Sequence, residues 1–183
     1  MYKTPKYHRH SIRLKGYDYS QEGLYFVTIC CQNREWLFGE IVNNKMILND
    51  AGNIVNNCWQ EIPNHFPNVY LHEYVIMPNH IHVVVEIAVG ARSARPNDDT
   101  KTGQANPAST NMPTLGNIIG YFKYQTTKQI NLSDKIWQRN YYEHIIRNEQ
   151  SFQRIVEYII DNPTKWREDK FYKMCSLQSS PFD

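Results

Sequence analysis

Residues 69–87 are VYLHEYVIMPNHIHVVVEI, two apolar runs separated by Pro78-Asn79. Both runs are rich in β-branched and aromatic residues, which favour strands, and the Pro-Asn pair is typical of a tight turn. The pattern predicts two strands, at 69–77 and 81–87, joined directly to one another. Because so short a connection reverses the chain, we expect the two strands to pair antiparallel.

Short strands and amphipathic helices surround this hairpin in the sequence. The run GLYFVTICC at 23–31 predicts a buried strand, and residues 40–48 predict a short hairpin that turns at Asn43-Asn44-Lys45. Strands joined by tight turns and mixed with helices are typical of an α+β fold. We therefore predict one antiparallel sheet with helices packed on it.

Three segments have apolar residues at helical spacing and a polar cap residue at the start. In the last of them, which follows the cap Asn148 and extends to about Asp161, an apolar stripe predicts contact with the core. That stripe comprises Phe152, Ile155, Val156, Ile159 and Ile160. The first of the other two helices begins at Asn49 or Asp50 and extends to about Glu61, where Pro63 and Pro67 end it. The second begins at Thr114 and has an apolar face made of Leu115, Ile118, Ile119 and Phe122.

The composition excludes several classes of protein. Of the 183 residues, 41% are hydrophobic and 21% are charged, which is typical of globular proteins rather than disordered chains. No apolar run approaches the roughly 20 residues that span a bilayer, and the N-terminal segment lacks the apolar stretch of a secretion signal. The four cysteines show no CxxC spacing, which argues against a zinc knuckle. We therefore expect a cytoplasmic protein.

Residues 90–113, GARSARPNDDTKTGQANPASTNMP, contain almost no large apolar side chain. This composition predicts a polar, flexible loop. Neither flank of the loop resembles an independent core. We therefore expect residues 1–183 to form a single domain, with the loop inserted at about 90–113.

His80-Ile81-His82 is the first candidate for chemistry. On a strand, residues two apart point to the same face, so both imidazoles project together while Ile81 turns into the core. Two imidazoles on one face are a metal-binding pair that suits Zn or Mn, although a site needs at least a third ligand. The alternative is that the two rings simply cap the sheet edge.

Tyr158 lies on the last predicted helix but roughly 130° away from the centre of its apolar stripe, at about 100° per residue. Asn162 follows one turn later and can approach what the tyrosine hydroxyl approaches. A free phenol, with a pKa of about 10, is a poor nucleophile, and a metal bound to an electrophilic phosphate would relieve that problem. A surface tyrosine without a chemical role is the alternative.

Basic residues are concentrated in an N-terminal arm and in an aromatic-basic cluster. Up to Lys15 the chain has no acidic residue, and such an arm either tracks phosphates or remains solvated. The cluster could stack on bases or close the core. If both contact DNA, replacing the cations of the arm should weaken binding and flatten its salt dependence. The arm holds Arg9, Arg13 and Lys15, and the cluster holds Trp137, Arg139, Tyr141, Tyr142 and Arg147.

Several segments, in order, resemble the REP-associated tyrosine transposases, which are single-tyrosine HUH nucleases (HUH denotes His-hydrophobe-His). These segments are VIMPNHIHVVVEI, LGNIIGYFKYQTTK, WQRNYYEHIIRNE and IVEYIIDNP, and RLKGYDYSQEGLYFVTICCQNR near the N-terminus also matches. The resemblance covers most of the chain. HIH alone is a weak signal, but MPNHIH followed by YxxxNP in the right order is highly specific.

The resemblance implies that His80 and His82 hold a divalent metal, Mg or Mn, and that Asn162 completes the metal site. It implies that the Tyr158 hydroxyl attacks single-stranded DNA at hairpin-flanked sites, leaving a 5′-phosphotyrosine bond and a free 3′-hydroxyl. It also implies a ferredoxin-like sheet, with the histidines on a central strand and the tyrosine on a C-terminal helix. Because the family is divided over whether monomers or dimers act, a monomer and a homodimer both remain open.

Two other functions are compatible with the residues. A non-catalytic module that holds single-stranded nucleic acid on an aromatic sheet would bind without cleaving. A phosphodiesterase in which metal-bound water attacks would need the histidines but not Tyr158. We predict a single-stranded DNA endonuclease and strand transferase, because the ordered segments that resemble the transposase family imply it. A binding module would also leave the coincidence of the His-hydrophobe-His motif and the tyrosine outside the apolar stripe unexplained.

Overall fold

A computed structural model describes residues 22–88 and 113–172 of the chain. Its strands are β1 (Gly23–Cys30), β2 (Gly39–Val42), β3 (Lys45–Leu48), β4 (Val69–Met77), β5 (His80–Ile87) and β6 (Tyr142–Ile146). Its helices are α1 (Asp50–Gln60), α2 (Ile62–His65), α3 (Leu115–Ile130) and α4 (Glu149–Asp161). Short 3-10 turns occupy Gln32–Arg34 and Trp166–Glu168.

Four strands form one antiparallel sheet in the order β4-β5-β1-β6. In the chain, α1 lies between β1 and β4, and α3 lies between β5 and β6, which is the split β-α-β connectivity of ferredoxin-like folds. Strands β2 and β3 pair only with each other, as a separate hairpin. The predicted α+β, ferredoxin-like fold is confirmed, and the His-hydrophobe-His motif lies on the central strand β5.

The sheet separates two layers of helices. On one face, Ile81, Val83 and Val85 of β5 are buried in a core that they share with α1 and α3. On the other face, Val84 of β5 packs with Ile159 of α4. Because successive side chains of a strand alternate between faces, β5 directs His80 and His82 to the α4 side.

The three long helices begin at the predicted cap residues. The Asn49 side chain accepts a hydrogen bond from the Gly52 amide at 2.9 Å, and Asn148 accepts one from the Ser151 amide at 2.8 Å. Thr114 caps α3 with a reciprocal pair of bonds to Asn117. Each cap satisfies an amide that the helix itself leaves unpaired.

One strand was not predicted, and two local expectations are corrected. The sequence pattern does not indicate β6, because YEHII is a short edge strand on which Tyr142 and His144 are exposed. Pro63 does not end a helix but lies in the first turn of α2, where its missing amide hydrogen costs nothing. Ile160, which was expected in the core, is 59% exposed, because α4 packs on the sheet mainly through Ile159 and Ile155.

Two predicted features lie outside the described residues: the N-terminal arm with Arg9, Arg13 and Lys15, and the loop at 90–113 apart from Pro113. Within the described ranges, Cys30, Cys31 and Cys58 are buried free thiols. No helix in the same ranges has the length and apolar character needed to cross a membrane.

Candidate active site

The two histidines of the motif lie side by side at the start of β5. Both side chains are buried, and the Nε2 atoms of His80 and His82 are 3.0 Å apart. Ile81, between them, lies in the core on the opposite face. The predicted same-face placement of the two imidazoles is confirmed.

The other ring nitrogen of each histidine contacts a neighbouring side chain. His80 Nδ1 is 2.8 Å from Asn79 Oδ1, and His82 Nδ1 is 2.8 Å from Thr28 Oγ1 on β1. Thr28 lies directly opposite His82 in the register of the two strands. Metal-binding histidines are commonly oriented by such contacts at the nitrogen that does not bind the metal.

Burial keeps both imidazoles neutral. It lowers the pKa of His82 to about 3, with a smaller contribution from the positive charge of Lys170. It also lowers the pKa of His80 well below its usual value, and the neighbouring His82 adds to this effect. Since a neutral imidazole keeps a lone pair for coordination, both rings are in the protonation state that a metal ligand requires at neutral pH.

Asp169 is the third group of this cluster. It lies after the Trp166–Glu168 turn, and one potential ligand atom from each of His80, His82 and Asp169 lies within 4.8 Å of the other two. Sequence reasoning missed this carboxylate. No spacing rule relates it to the HIH motif, because the tertiary fold alone returns the segment after α4 to the start of β5.

Asn162, at the end of α4, contacts the same cluster. Its Nδ2 donates to Asp169 Oδ2 at 3.4 Å, while its Oδ1 is buried and has no hydrogen-bond partner. A buried polar atom without a partner is costly and calls for a ligand to explain it. Asn162 thus lies in the same cleft as His82 and contacts Asp169, with one buried oxygen unpaired. That it completes a metal site stays a prediction.

Tyr158 reaches the cluster from the exposed side of α4. Its hydroxyl lies 3.1 Å from His82 Nε2, and its ring meets that of Phe26 edge-on, with centroids 6.1 Å apart. The side chain is 39% exposed. Partial burial raises the pKa of Tyr158, and the Asp169 carboxylate raises it further. The phenol is therefore protonated at neutral pH and needs help to act as a nucleophile.

Tyr158 opens onto a cleft of about 390 Å³ together with His82, Asn162 and Asp169, while His80 lies outside its lining. Two lysines that sequence reasoning did not single out also line it. Their ammonium groups can attract a phosphate, but Glu168 and Asp169 line the same cleft and Lys165 pairs with Asp161 at 2.8 Å. The lining comprises Phe26, Thr28, His82, Tyr158, Asn162, Lys165, Glu168, Asp169 and Lys170.

A second, larger groove of about 660 Å³ adjoins this cleft, and the two share Lys165 and Glu168. Three aromatic rings line it: Trp36 packs on Trp166 and Tyr172 with centroids 5.7 and 5.8 Å apart. Trp36 is 36% exposed. We call this feature the aromatic groove. Its rings are not adjacent in the sequence, so no local pattern indicates it.

The predicted aromatic-basic cluster is divided by the fold. Trp137 is a core residue whose indole Nε1 donates to Thr126 Oγ1 at 2.8 Å, so it is not available for stacking on bases. Arg139 and Arg147 are exposed, but they flank opposite ends of β6 and neither lines the cleft.

Known proteins resemble this chain in sequence and in fold. An uncharacterised protein from Haemophilus influenzae is 45% identical over 174 residues, covering 93% of this chain and 97% of its own length. A second Haemophilus influenzae protein, provisionally named a REP-associated tyrosine transposase, is 26% identical over 91% of this chain and 89% of its own length. No protein-family model matches the chain.

A solved structure of a REP-associated tyrosine transposase bound to a REP hairpin superposes with a TM-score of 0.55. It is 22% identical and covers 89% of this chain and 74% of its own. The chain is a relative of the REP-associated tyrosine transposases. This relationship supports a transposase-like function, and the fold agrees with that of the solved transposase.

The cluster of His80, His82 and Asp169 has donor atoms that suit a divalent metal. Two neutral imidazoles and one carboxylate form a mixed nitrogen–oxygen donor set, and the buried Asn162 Oδ1 adds an unpaired oxygen. The two Nε2 atoms face each other at 3.0 Å, an arrangement that a shared cation would stabilise. Imidazole with carboxylate suits Mn better than Mg, which prefers oxygen alone.

Proposed function

We propose that the chain is a metal-dependent, single-stranded DNA endonuclease and strand transferase that forms a 5′-phosphotyrosine intermediate. The observation that carries the proposal is the position of the Tyr158 hydroxyl, 3.1 Å from His82 Nε2 and beside a cluster of candidate metal ligands. A nucleophile and an electrophile-activating group must be this close to act on one phosphate.

The reaction exchanges one phosphate ester for another. The Tyr158 oxygen attacks the phosphorus, the bond from phosphorus to the 3′-oxygen breaks, and the phenolic proton is balanced by the proton gained at the departing 3′-hydroxyl. Because the phosphotyrosine ester keeps the energy of the broken bond, a 3′-hydroxyl can later attack it and reseal the strand.

In this proposal His80, His82 and Asp169 hold a divalent ion, Mn or Mg, with Asn162 as a further oxygen ligand. When bound, the ion supplies Lewis-acid polarisation of the scissile phosphate. Lys165 and Lys170, which line the cleft, attract the phosphate backbone. Together these charges compensate for the raised pKa of Tyr158, since they make the phosphate a better electrophile for a neutral phenol.

The aromatic groove would receive nucleotides next to the scissile phosphate. It continues from the cleft and presents Trp36 partly exposed, as stacking on a base requires. Recognition of hairpin-flanked DNA is proposed from the transposase that was solved with a REP hairpin. Arg139, Arg147 and the arm with Arg9, Arg13 and Lys15 would contact the DNA backbone.

We also propose that residues 1–183 act as one domain, as a monomer or a homodimer. A cytoplasmic location is the expectation that follows from a DNA substrate. The experiment below tests the chemistry, on which these further points depend.

The test is covalent capture of labelled DNA. Wild-type protein, Tyr158→Phe and the matched control Tyr124→Phe, which alters an exposed tyrosine on α3, are incubated with labelled single-stranded hairpin oligonucleotides and Mn or Mg. Samples with and without chelator are then separated on a denaturing protein gel. We expect the label to comigrate with wild type and Tyr124→Phe, and to be absent from Tyr158→Phe and from chelated samples.

Other outcomes overturn the proposal. Cleaved DNA without attached label, unchanged in Tyr158→Phe, would identify a phosphodiesterase in which water attacks. Binding of the oligonucleotides without cleavage, and without any effect of chelator, would identify a non-catalytic binding module.

A further inference from the structure

Asn79 links three separate segments of the chain at the metal-binding cluster. It is fully buried in the turn between β4 and β5, immediately before His80. Its backbone carbonyl accepts a hydrogen bond from the Cys31 amide at 2.8 Å. Its side chain contacts the carbonyls of Arg34 and Phe171. The sequence indicates only a turn residue here, but a turn does not require a side chain with so many buried partners.

The orientation of the Asn79 amide follows from its partners. Nδ2 lies 3.2 Å from the Arg34 carbonyl oxygen and 2.9 Å from the Phe171 carbonyl oxygen. A carbonyl can only accept, and an amide nitrogen has two hydrogens to donate, so both hydrogens are used. Rotating the amide by half a turn would bring Oδ1 against two other oxygens, which would repel it.

The fixed amide determines the tautomer of His80. Asn79 Oδ1 can only accept, and it lies 2.8 Å from His80 Nδ1, so Nδ1 must carry the proton. A neutral imidazole has one N–H, which leaves Nε2 of His80 as a bare lone pair. That lone pair faces His82 Nε2 at 3.0 Å.

The same side chain also holds the segment that supplies Asp169. Phe171, whose carbonyl accepts from Asn79, donates its own amide to Asp169 Oδ1 at 2.6 Å. The Phe171 ring packs on the His80 ring, with centroids 4.6 Å apart. One buried amide therefore bonds both to the first histidine and to the segment that carries the carboxylate.

We propose that Asn79 is a positioning residue, which holds His80 in the Nδ1–H tautomer and ties the Asp169 segment to the β4–β5 turn. Two candidate metal ligands thereby face one point before any cation binds. The inference rests on the proposed function in one respect, that the cluster is a metal site. The tautomer of His80 does not depend on it, because it is a property of the metal-free protein.

The first test is nitrogen NMR of the protein with ¹⁵N-labelled histidine, without metal or DNA. In wild type we expect the His80 proton on Nδ1. In Asn79→Leu, which removes donor and acceptor at similar volume, we expect His80 to shift toward the Nε2–H form. The signals of His82 should change with it, because its Nε2 lies 3.0 Å from His80 Nε2 and only one of the two nitrogens can carry a proton. The control Asn64→Leu alters an exposed asparagine on α2 whose side chain donates to Glu61, and it should match wild type.

The second test is calorimetric titration of the same variants with MnCl₂. Loss of a group that orients a metal ligand typically weakens binding about 10–100-fold, and we expect a loss of this size in Asn79→Leu and none in Asn64→Leu. A wild-type spectrum with the His80 proton on Nε2 would overturn the proposal and requires no variant to fold. A folded Asn79→Leu with wild-type tautomer and Mn affinity would overturn it as well. Neither readout involves Tyr158 or DNA, so the proposal on Asn79 and the proposed nicking reaction can fail separately.

Discussion

Strand β5 has two buried faces that serve different purposes. Ile81, Val83 and Val85 lie under α1 and α3 in a continuous apolar core. His80 and His82, on the other face, are equally buried, but they lie beside α4 and the segment that contains Asp169. The difference shows that burial alone does not separate core from site on this strand. What separates them is whether a buried side chain has polar neighbours that orient it.

The largest effect should come from removing a side chain on the polar face. His82→Ala takes away a candidate metal ligand and a ring nitrogen that lies 3.1 Å from the Tyr158 hydroxyl. We expect nicking of hairpin oligonucleotides to fall at least about 10²–10³-fold, the loss typical of one electrostatic stabiliser. Oligonucleotide binding, measured in parallel, should be largely retained. If His82→Ala still nicks DNA at the wild-type rate in the presence of chelator, the reaction does not use this metal site.

Acid should lower the stability of the fold through the buried histidines on the polar face of β5, because the apolar face carries no titratable group. In the unfolded chain His82 has an ordinary pKa near 6.5, whereas burial lowers it to about 3 in the fold. The unfolded state therefore binds a proton that the native state excludes. This contribution to the free energy of unfolding is complete above pH 6.5 and is lost as the pH falls toward 3, at a rate of about 1.4 kcal/mol per pH unit.

Urea unfolding of metal-free protein across this pH range measures the effect. His82→Ala should lose part of the slope that wild type shows. Equal slopes for wild type and His82→Ala would show that the buried ring does not carry the linkage.

A cavity on the apolar face should cost stability and leave the chemistry intact. Val83→Ala removes two buried methyl groups from the position next to His82. We expect the free energy of unfolding to fall by about 2–3 kcal/mol. The affinity for Mn and the nicking rate per folded molecule should not change. A Val83→Ala protein that folds but fails to bind Mn would mean that the two faces are not independent.

The smallest effect concerns the aromatic groove. Stacking of a base on an aromatic side chain contributes about 1–3 kcal/mol, so Trp36→Ala should weaken binding of a hairpin with single-stranded flanks by that amount. Fluorescence anisotropy with flanked and blunt hairpins measures the difference, and Tyr124→Ala serves as an exposed aromatic control. If Trp36→Ala weakens both DNAs equally, the groove does not bind the flanking nucleotides.

Local patterns in the sequence predicted much of this molecule. Alternation at 80–82 placed both imidazoles on one face, helical spacing placed Tyr158 off the apolar stripe, and polar residues such as Asn148 marked the helix starts. These predictions succeeded because they depend on the geometry of one strand or one helix, which neighbouring residues determine. Strand β6 was not indicated because a short edge strand is stabilised by its pairing with β1 rather than by its own composition.

Only the tertiary structure brought Asp169 to the histidines, turned Trp137 into the core and assembled the aromatic groove from Trp36, Trp166 and Tyr172. Each of these contacts joins residues far apart in the chain, and no spacing rule relates them. The role of Asn79 is of the same kind, since the proton on His80 depends on carbonyls contributed by Arg34 and Phe171. The sequence determined which side chains could do the chemistry. The fold decided which of them meet, because a buried polar group is held by partners that only the packed chain can supply.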